Sequence, residues 1–326
     1  MQGKRQFVSS SFFTHFASDV SLEVPNSPST NEQIKSAEFL FLSHSHIDHS
    51  GAFEWLLLRG FNGAVVTTKE TAKQVAFPYT KILYINKKKP PYEEYLLNND
   101  ISVMWGKSGH CGGSAWFRVR LGDESIFFSG DYIENMLAYQ TDIVRGIEAN
   151  YAIIENAYSN ESTTQEENRD ALISLICRAI VQKTTLLFPV PKYGFGLELL
   201  VLLGKNVPGT RINIDEHIWG ELVRRREFED WLKLDFFKEV SKLHATLSDD
   251  AQIFFVSDPY LVTPQAQKLA EKIIANGGAV VLAGHHQANT FSDRALKSRY
   301  SVHLNKAQSD LLRRLNSFEN TLLFHK

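Results

Sequence analysis

The sequence predicts an α/β protein organised in two parts, and three observations carry that expectation. Short apolar runs rich in β-branched and aromatic residues recur along all 326 residues. Before about residue 158 these runs follow one another across short turns; after it they alternate with helical stretches, the pattern of a parallel sheet. Several of the runs also end in His or Asp, beginning with Ser43-His44-Ser45-His46-Ile47-Asp48-His49-Ser50 directly behind Phe39-Leu40-Phe41-Leu42.

The expected strands of the first part are 38–42, 63–67, 101–105, 114–120, 125–129 and 151–155, each apolar and bounded by Gly, Asn, Asp or Ser. The second part adds 184–189, 211–214, 252–256 and 279–283, and the chain closes on 321–324. Helices are expected over 51–59, 69–75, 164–182, 194–204, 216–246, 264–276 and 306–316. The stretch 164–182 is the clearest. Ala171, Leu172, Leu175, Ile176, Ala179 and Ile180 recur at three- and four-residue steps, and Glu166 and Glu167 sit in its first turn, where acidic groups favour a helix start.

Composition narrows the function classes. The chain is 43% hydrophobic and 22% charged, ordinary for a globular protein. No run of about 18 apolar residues exists, so no membrane span is expected. The N-terminus lacks the sustained apolar region of a signal peptide. Two cysteines, Cys111 and Cys177, build no disulfide framework, and a reduced, cytoplasmic setting is expected. A net charge of −2 argues against a wholesale electrostatic grip on nucleic acid, though not against a local groove. The basic runs at 87–89 and 224–226 read as solvated faces.

The histidine-rich stretch points to metal. His44 and His46 are two residues apart, which on a helix places them about 200° apart but on extended backbone puts both on one side, with Asp48. The segment should therefore be the end of a strand and the loop after it. Neutral imidazoles and a carboxylate suit a borderline cation such as zinc. Other donors follow the same grammar. His110 stands among small residues after strand 101–105, Asp131 ends the apolar run before it behind a glycine, and His325 follows the last apolar strand. His15, His217 and His244 read as surface or core residues; Cys111, next to His110, could in principle bind metal, which the chain direction disfavours; His285 and His286 end strand 279–283, with a groove-lining role as the alternative.

These residues resemble a known family. His44-Ser45-His46-Ile47-Asp48-His49 matches the HxHxDH signature of the metallo-β-lactamase superfamily; His110 and Asp131 look like its third and fourth motifs. Downstream the chain resembles the metallo-β-CASP branch, which holds ribonuclease J and the cleavage-and-polyadenylation endonucleases. Glu155 looks like motif A of that branch, His303 like motif B and His325 like motif C. The segments 188–200 and 280–290 are similar to its Pro/Gly/Glu and Gly-aromatic-Gln elements. The resemblance runs over about residues 38–326.

It implies a metallo-β-lactamase αββα sandwich over 1–158 and 296–326 with an α/β β-CASP cap over 159–295, and substrate entering between them. It implies two Zn2+ ions, with Mn2+ as the alternative: one on His44, His46 and His110, the other on Asp48, His49 and His325, and Asp131 bridging. Two such ions about 3.5–4 Å apart hold a bridging hydroxide nucleophile. Asp48, Glu155 and His303 are the implied catalytic residues, Glu155 orienting the imidazole of His303 and His303 protonating the leaving oxygen. The implied function is a phosphodiester hydrolase, a ribonuclease of RNA processing or decay acting on single-stranded RNA, with DNA as the alternative substrate and a homo-oligomer left open. Two other readings compete: hydrolysis of a small ester, thioester or lactam, and a catalytically weakened partner subunit of a nuclease complex.

The chain departs from the family pattern in four places. Residues 1–37 offer none of the usual first strands or Asp-containing turn, so the N-terminal strands are expected to be reduced. Phe195 stands where an Arg is usual and Leu197 replaces a Gln. The sequence runs one residue past His325, so no accessory RNA-binding domain is expected.

Overall fold

The computed structural model describes residues 8–9, 28–76, 78–223, 229–246, 249–284, 291 and 293–324. The chain divides into two compact units. The first comprises Met1–Glu134, Thr141–Ser159 and Lys306–Lys326; the second comprises Asn135–Gln140 and Asn160–Asn305. Among the described residues no helix is long and apolar enough to cross a membrane.

The first unit holds two sheets. The smaller has the order β1-β2-β3-β4, formed by Val8–Ser9, Phe39–Phe41, Ala64–Thr67 and Ile82–Tyr84, all parallel. The larger has the order β16-β9-β8-β7-β6-β5. Its strands are Tyr95–Leu96 (β5), Ile101–Lys107 (β6), Ala115–Leu121 (β7), Glu124–Phe128 (β8), Glu148–Glu155 (β9) and Ser317–Phe324 (β16). From β5 to β8 these pair antiparallel, while β9 runs parallel to both β8 and β16. Strand alternation decides the layering. Phe41 points toward the larger sheet, its ring 5.7 Å from that of Phe117. Leu40 and Leu42 point the other way, into a cluster with Ile34 of helix α1 (Pro28–Ser36) and Phe53 and Leu56 of helix α3 (Phe53–Leu58). This is the sandwich the sequence anticipates, with helices outside facing sheets. Among the described residues the first strand is Val8–Ser9, paired in register with Leu40–Phe41.

The second unit is built on a six-stranded parallel sheet of order β12-β11-β13-β10-β14-β15. Its strands are Leu186–Pro189 (β10), Arg211–Ile214 (β11), His244–Ala245 (β12), Ile253–Val256 (β13), Ala279–Ala283 (β14) and Leu296–Ser298 (β15). Helix α5 (Gln165–Val181) leads into β10, while α6 (Phe195–Asn206), between β10 and β11, and α9 (Pro264–Ala275), between β13 and β14, make crossovers of the kind that parallel strands require. Their starts are chemically specified. Thr164 and Glu167 close a reciprocal capping box on α5, and Thr263 caps α9 with Pro264 at its first position. From Phe195 to Gly204 every residue of α6 is buried, so polarity alternation is absent there and burial alone drives its packing.

One expectation is corrected. Residues 216–246 are not one helix. Among the described residues of this stretch stand helix α7 (Glu216–Val223), a 3₁₀ turn (Glu229–Trp231), helix α8 (Phe236–Val240) and β12. The reason is tertiary pairing. Gln140 N donates to Trp231 O at 2.8 Å, its side-chain amide donates to Leu232 O at 2.7 Å, and Lys233 N donates to Ala138 O at 2.9 Å. Carbonyls and amides used in that way are withdrawn from a helical ladder, while the burial of Trp231, Leu232 and Phe236 repays the break.

Helix α6 also carries a test of packing against propensity. A Cβ on Gly204 would sit 2.1 Å from the Glu239 carbonyl oxygen in α8, backbone against backbone. Gly→Ala inside a helix ordinarily gains about 1 kcal/mol. Here Gly204→Ala is expected to lose about 1–3 kcal/mol instead, because α8 must move away. A urea midpoint equal to or above that of the parent would contradict this reading.

Candidate metal centre

Three strand ends of the first unit bring the predicted donors together. The strand β2 ends at Phe41, and Leu42 N still donates to Val66 O of β3, at 3.0 Å. His46 has extended backbone (φ −60°, ψ 149°), and the rings of His44 and His46 lie together, His44 Nε2 3.1 Å from His46 Nδ1. Asp48 and His49 do not continue that extended run. They lie on a one-turn helix α2 (Ile47–Ser50), closed by Ser50 N donating to His46 O at 2.8 Å. The expectation that Asp48 shares the extended side of the histidines is corrected accordingly. The turn redirects His49 inward, where it is buried, and leaves Asp48 about half exposed, 3.7 Å from His49 Nε2.

His110 comes from the tight turn between β6 and β7. The Ser114 hydroxyl donates to Cys111 O at 2.8 Å and receives Cys111 N at 3.1 Å, which locks the turn on itself. Gly109 adopts φ +85°, and a Cβ there would lie 2.1 Å from Thr141 Oγ1, so only glycine serves. Asp131 follows β8 through Gly130 (φ +51°), whose missing side chain admits Ser43 at van der Waals contact.

The donor atoms converge. His46 Nδ1 lies 3.1 Å from His44 Nε2 and 3.0 Å from His110 Nε2. Asp131 Oδ2 lies 3.4 Å from His44 Nε2 and 3.5 Å from His110 Nε2. One ligand atom from each of these four residues falls within 4.8 Å of every other. A tetrahedron of ligands at about 2.0–2.1 Å from a zinc ion has edges of about 3.3–3.4 Å. The measured edges bracket that value, and three imidazoles with one carboxylate are the donors such an ion prefers, so the residues fit a divalent metal. The other carboxylate oxygen of Asp131, Oδ1, lies 3.2 Å from His49 Nε2. A single carboxylate thus faces His44 and His110 with one oxygen and His49 with the other.

Burial sets the electrostatics. His44, His49, His110 and Asp131 are all buried, while His46 is partly open. Burial, reinforced by the neighbouring His49, pushes the His44 imidazole down to about 3, outweighing the Asp131 carboxylate that favours its charged form. The ring is therefore neutral at physiological pH, the form that coordinates. The Ser43 hydroxyl lies 3.1 Å from His44 Nδ1 and 3.4 Å from His49 Nδ1, so one serine orients two rings with their Nε2 atoms toward Asp131. Sequence reasoning passes over Ser43, whose only signal is its place immediately before His44 in the inward register of the strand end.

The remaining predicted residues are placed as follows. Glu155 is fully buried at the end of β9, receiving Ala157 N on its Oε1 at 3.2 Å. His303 belongs to the second unit, and its carbonyl accepts from the Ser301 hydroxyl at 2.9 Å. His325 lies outside the described residues, as do His15, His285, His286 and the run 224–226. The strand leading to His325 is described: Phe324 pairs with Glu155 in register and its ring lies 6.3 Å from that of His49. His217 and His244 are exposed, and Cys111 is buried outside the four-residue donor group.

No protein-family model matches the chain. Individual proteins do. The chain is 26% identical over 192 residues to "Cleavage and polyadenylation specificity factor 73" of Drosophila melanogaster, covering 51% of this chain and 28% of the relative. It is 24% identical over 323 residues to "Transcription termination factor FttA" of Lokiarchaeum sp., covering 89% and 47%. It is 23% identical over 286 residues to "Probable RNase MJ4" of Methanocaldococcus jannaschii, covering 78% and 62%. The chain thus spans less than two thirds of the length of each of these relatives. At low identity, they bear out the resemblance to the metallo-β-lactamase superfamily and its metallo-β-CASP branch.

Proposed function

We propose, from the premise that this chain is a distant relative of metallo-β-lactamase proteins of the metallo-β-CASP branch, that it is a metal-dependent ribonuclease hydrolysing phosphodiester bonds of single-stranded RNA. The observation that carries the reading is the convergence of His44, His46, His110 and Asp131 from three separate strand ends onto one buried point. The relatives named for RNA cleavage and processing direct the metal chemistry to RNA.

On this reading the ions are two Zn2+, with Mn2+ able to substitute. His44, His46 and His110 would hold one, Asp48, His49 and His325 would hold the other, and Asp131 would serve both. The two-sided placement of the Asp131 carboxylate supports the bridge. When bound, a pair of divalent ions supplies an activated water at neutral pH and neutralises charge developing at phosphorus. The protein's own groups then do the positioning. Asp131 holds the two histidine sets at fixed separation, Ser43 keeps Nδ1 of His44 and His49 engaged, and burial keeps His44 neutral. Asp48, the exposed member, presents its carboxylate 3.7 Å from His49 Nε2. His303 gives a proton to the leaving oxygen and Glu155 orients its imidazole. The second unit is the β-CASP cap, taking the role of the 159–295 insertion.

The test is incubation with labelled single-stranded RNA and zinc or manganese beside an Asp48→Ala/His49→Ala variant. The parent cleaves and the variant does not. Cleavage by both identifies a contaminant, and hydrolysis of a small chromogenic ester with intact RNA moves the assignment to a small-ester hydrolase. Zinc is also expected to raise thermal stability. At a free concentration of about 1,000 times the dissociation constant the gain is about 4 kcal/mol, seen as a melting point that climbs with added zinc and returns on chelation. A melting point indifferent to zinc, manganese and chelator would sink the metal assignment.

A further inference from the structure

Helix α4 (Lys69–Val75) contributes no donor to the metal centre, yet it is tied to both loops that do. The Ser45 hydroxyl donates to Gln74 Oε1 at 2.5 Å, and Gln74 Nε2 donates to Gly112 O at 2.9 Å. Ser45 stands between His44 and His46; Gly112 is two residues beyond His110. One amide side chain thus spans the two chain segments, 29 and 38 residues away in sequence, that carry three of the four converging donors.

The amide orientation follows from its partners. A hydroxyl can donate or accept, but the Gly112 carbonyl can only accept, so the nitrogen must face it and the oxygen is left for Ser45. The helix is itself held against the same turn. The hydroxyls of Thr68, its N-cap, and Thr71 both donate to Gly113 O, at 2.7 and 2.9 Å. Gly113 adopts φ +95°, and a Cβ there would lie 2.8 Å from Thr71 N, so the turn is pressed onto the first turn of α4 with no room for a side chain. Thr71 and Gln74 are three apart and share a helix face. The helix start fixes the turn carrying His110, and Gln74 extends that fixed frame to the segment carrying His44 and His46.

We propose that Gln74 is a positioning residue of the metal centre, its amide clamping Ser45 to Gly112 so that His46 and His110 stand at ligand separation before an ion arrives. This rests on the metal assignment above. Groups that orient ligands without touching the ion typically contribute 10- to 100-fold to metal affinity.

The experiment measures zinc affinity of the full chain by competition with a chromophoric chelator, for the parent and for Gln74→Leu, Ser45→Ala and the double variant. Gln74→Leu is expected to weaken zinc binding about 10- to 100-fold. The double variant should be no weaker than Gln74→Leu by more than about twofold, since both changes remove one clamp. A merely structural side chain would instead lower the melting point of the zinc-free protein in step with affinity. Here that melting point should fall by no more than about 4–8 °C, the loss of the two hydrogen bonds Gln74 makes. Zinc affinity unchanged in Gln74→Leu while the parent binds zinc overturns the clamp and leaves the metal centre standing. A parent that binds no zinc overturns both. If Gln74→Leu does not fold, Ser45→Ala breaks the same bond from the other side, and parental zinc affinity in that variant overturns the proposal.

Discussion

On the proposed function, Asp131→Ala is expected to lower RNA hydrolysis by about two to three orders of magnitude and to reduce the zinc bound per chain. The magnitude is that of removing one preorganised electrostatic group from an active site. The structural argument is specific to this carboxylate. It is 1% exposed and is the acidic member of the buried donor group. Its Oδ2 faces His44 and His110 while Oδ1 faces His49. Alanine leaves the imidazoles facing each other around an emptied position, with no charge to offset a divalent ion. Asp131→Asn separates charge from shape, since it keeps the side-chain volume and one oxygen but not the negative charge. A smaller loss in Asn than in Ala shows that placement matters beside charge. Cleavage assays with metal content measured on the same preparations decide the point. An Asp131→Ala protein with parental rate and parental zinc content is the result that removes Asp131 from the centre.

Glu198→Ala is expected to destabilise the second unit by about 3–5 kcal/mol, the cost of leaving buried polar partners without their charge. Glu198 is fully buried in the first turn of α6. Its carboxylate receives Leu137 N on both oxygens at 2.7 and 2.8 Å, Ala138 N at 2.7 Å, and the Tyr300 hydroxyl. Arg169 stands 3.6 Å away and donates from Nε to the Tyr300 oxygen at 3.0 Å. The Tyr300 hydroxyl is held well above its usual range by burial first and by the Glu198 charge next, so it stays protonated and keeps donating. Removing the carboxylate strands two backbone amides and a phenol at once and takes the counter-charge from the Arg169 guanidinium. Glu198→Gln should lose less, because one oxygen remains for the two amides. Urea denaturation followed by tyrosine and tryptophan fluorescence measures the effect. A midpoint for Glu198→Ala within error of the parent would mean that water replaces the carboxylate, and that the segment 135–140 is held by other contacts.

Legibility in the sequence differed from element to element for physical reasons. The expected strands were readable because each is an apolar run bounded by turn formers, and the structure places them within a few residues of the expected bounds, as at 211–214 and 279–283, whereas the two- and three-residue strands β4, β5, β12 and β15 were not expected. Helices with chemical start signals, such as α5 with Thr164 and Glu167, were readable too. The stretch 216–246 misleads because helical composition continues through residues whose backbone is claimed by Tyr139 and Gln140, about ninety residues earlier in the chain. The two-residue strand Val8–Ser9 had no periodicity to reveal it; it exists through pairing with Leu40–Phe41.

At the site, the sequence by itself singled out candidate donors. Histidine and aspartate at the ends of apolar strands are a chemical statement that needs no coordinates, and the structure brings one atom from each of His44, His46, His110 and Asp131 within 4.8 Å of the others. What only the tertiary structure decided is how they meet. The helical turn that drives His49 inward and leaves Asp48 out, the serine that orients two rings, and the glutamine that ties Ser45 to Gly112 depend on contacts between residues far apart in sequence. A side chain's identity states which bonds it can make, but its partners are chosen by the packing of sheets and helices, and a helix-borne Gln74 carries no mark in the sequence of the two loops it holds.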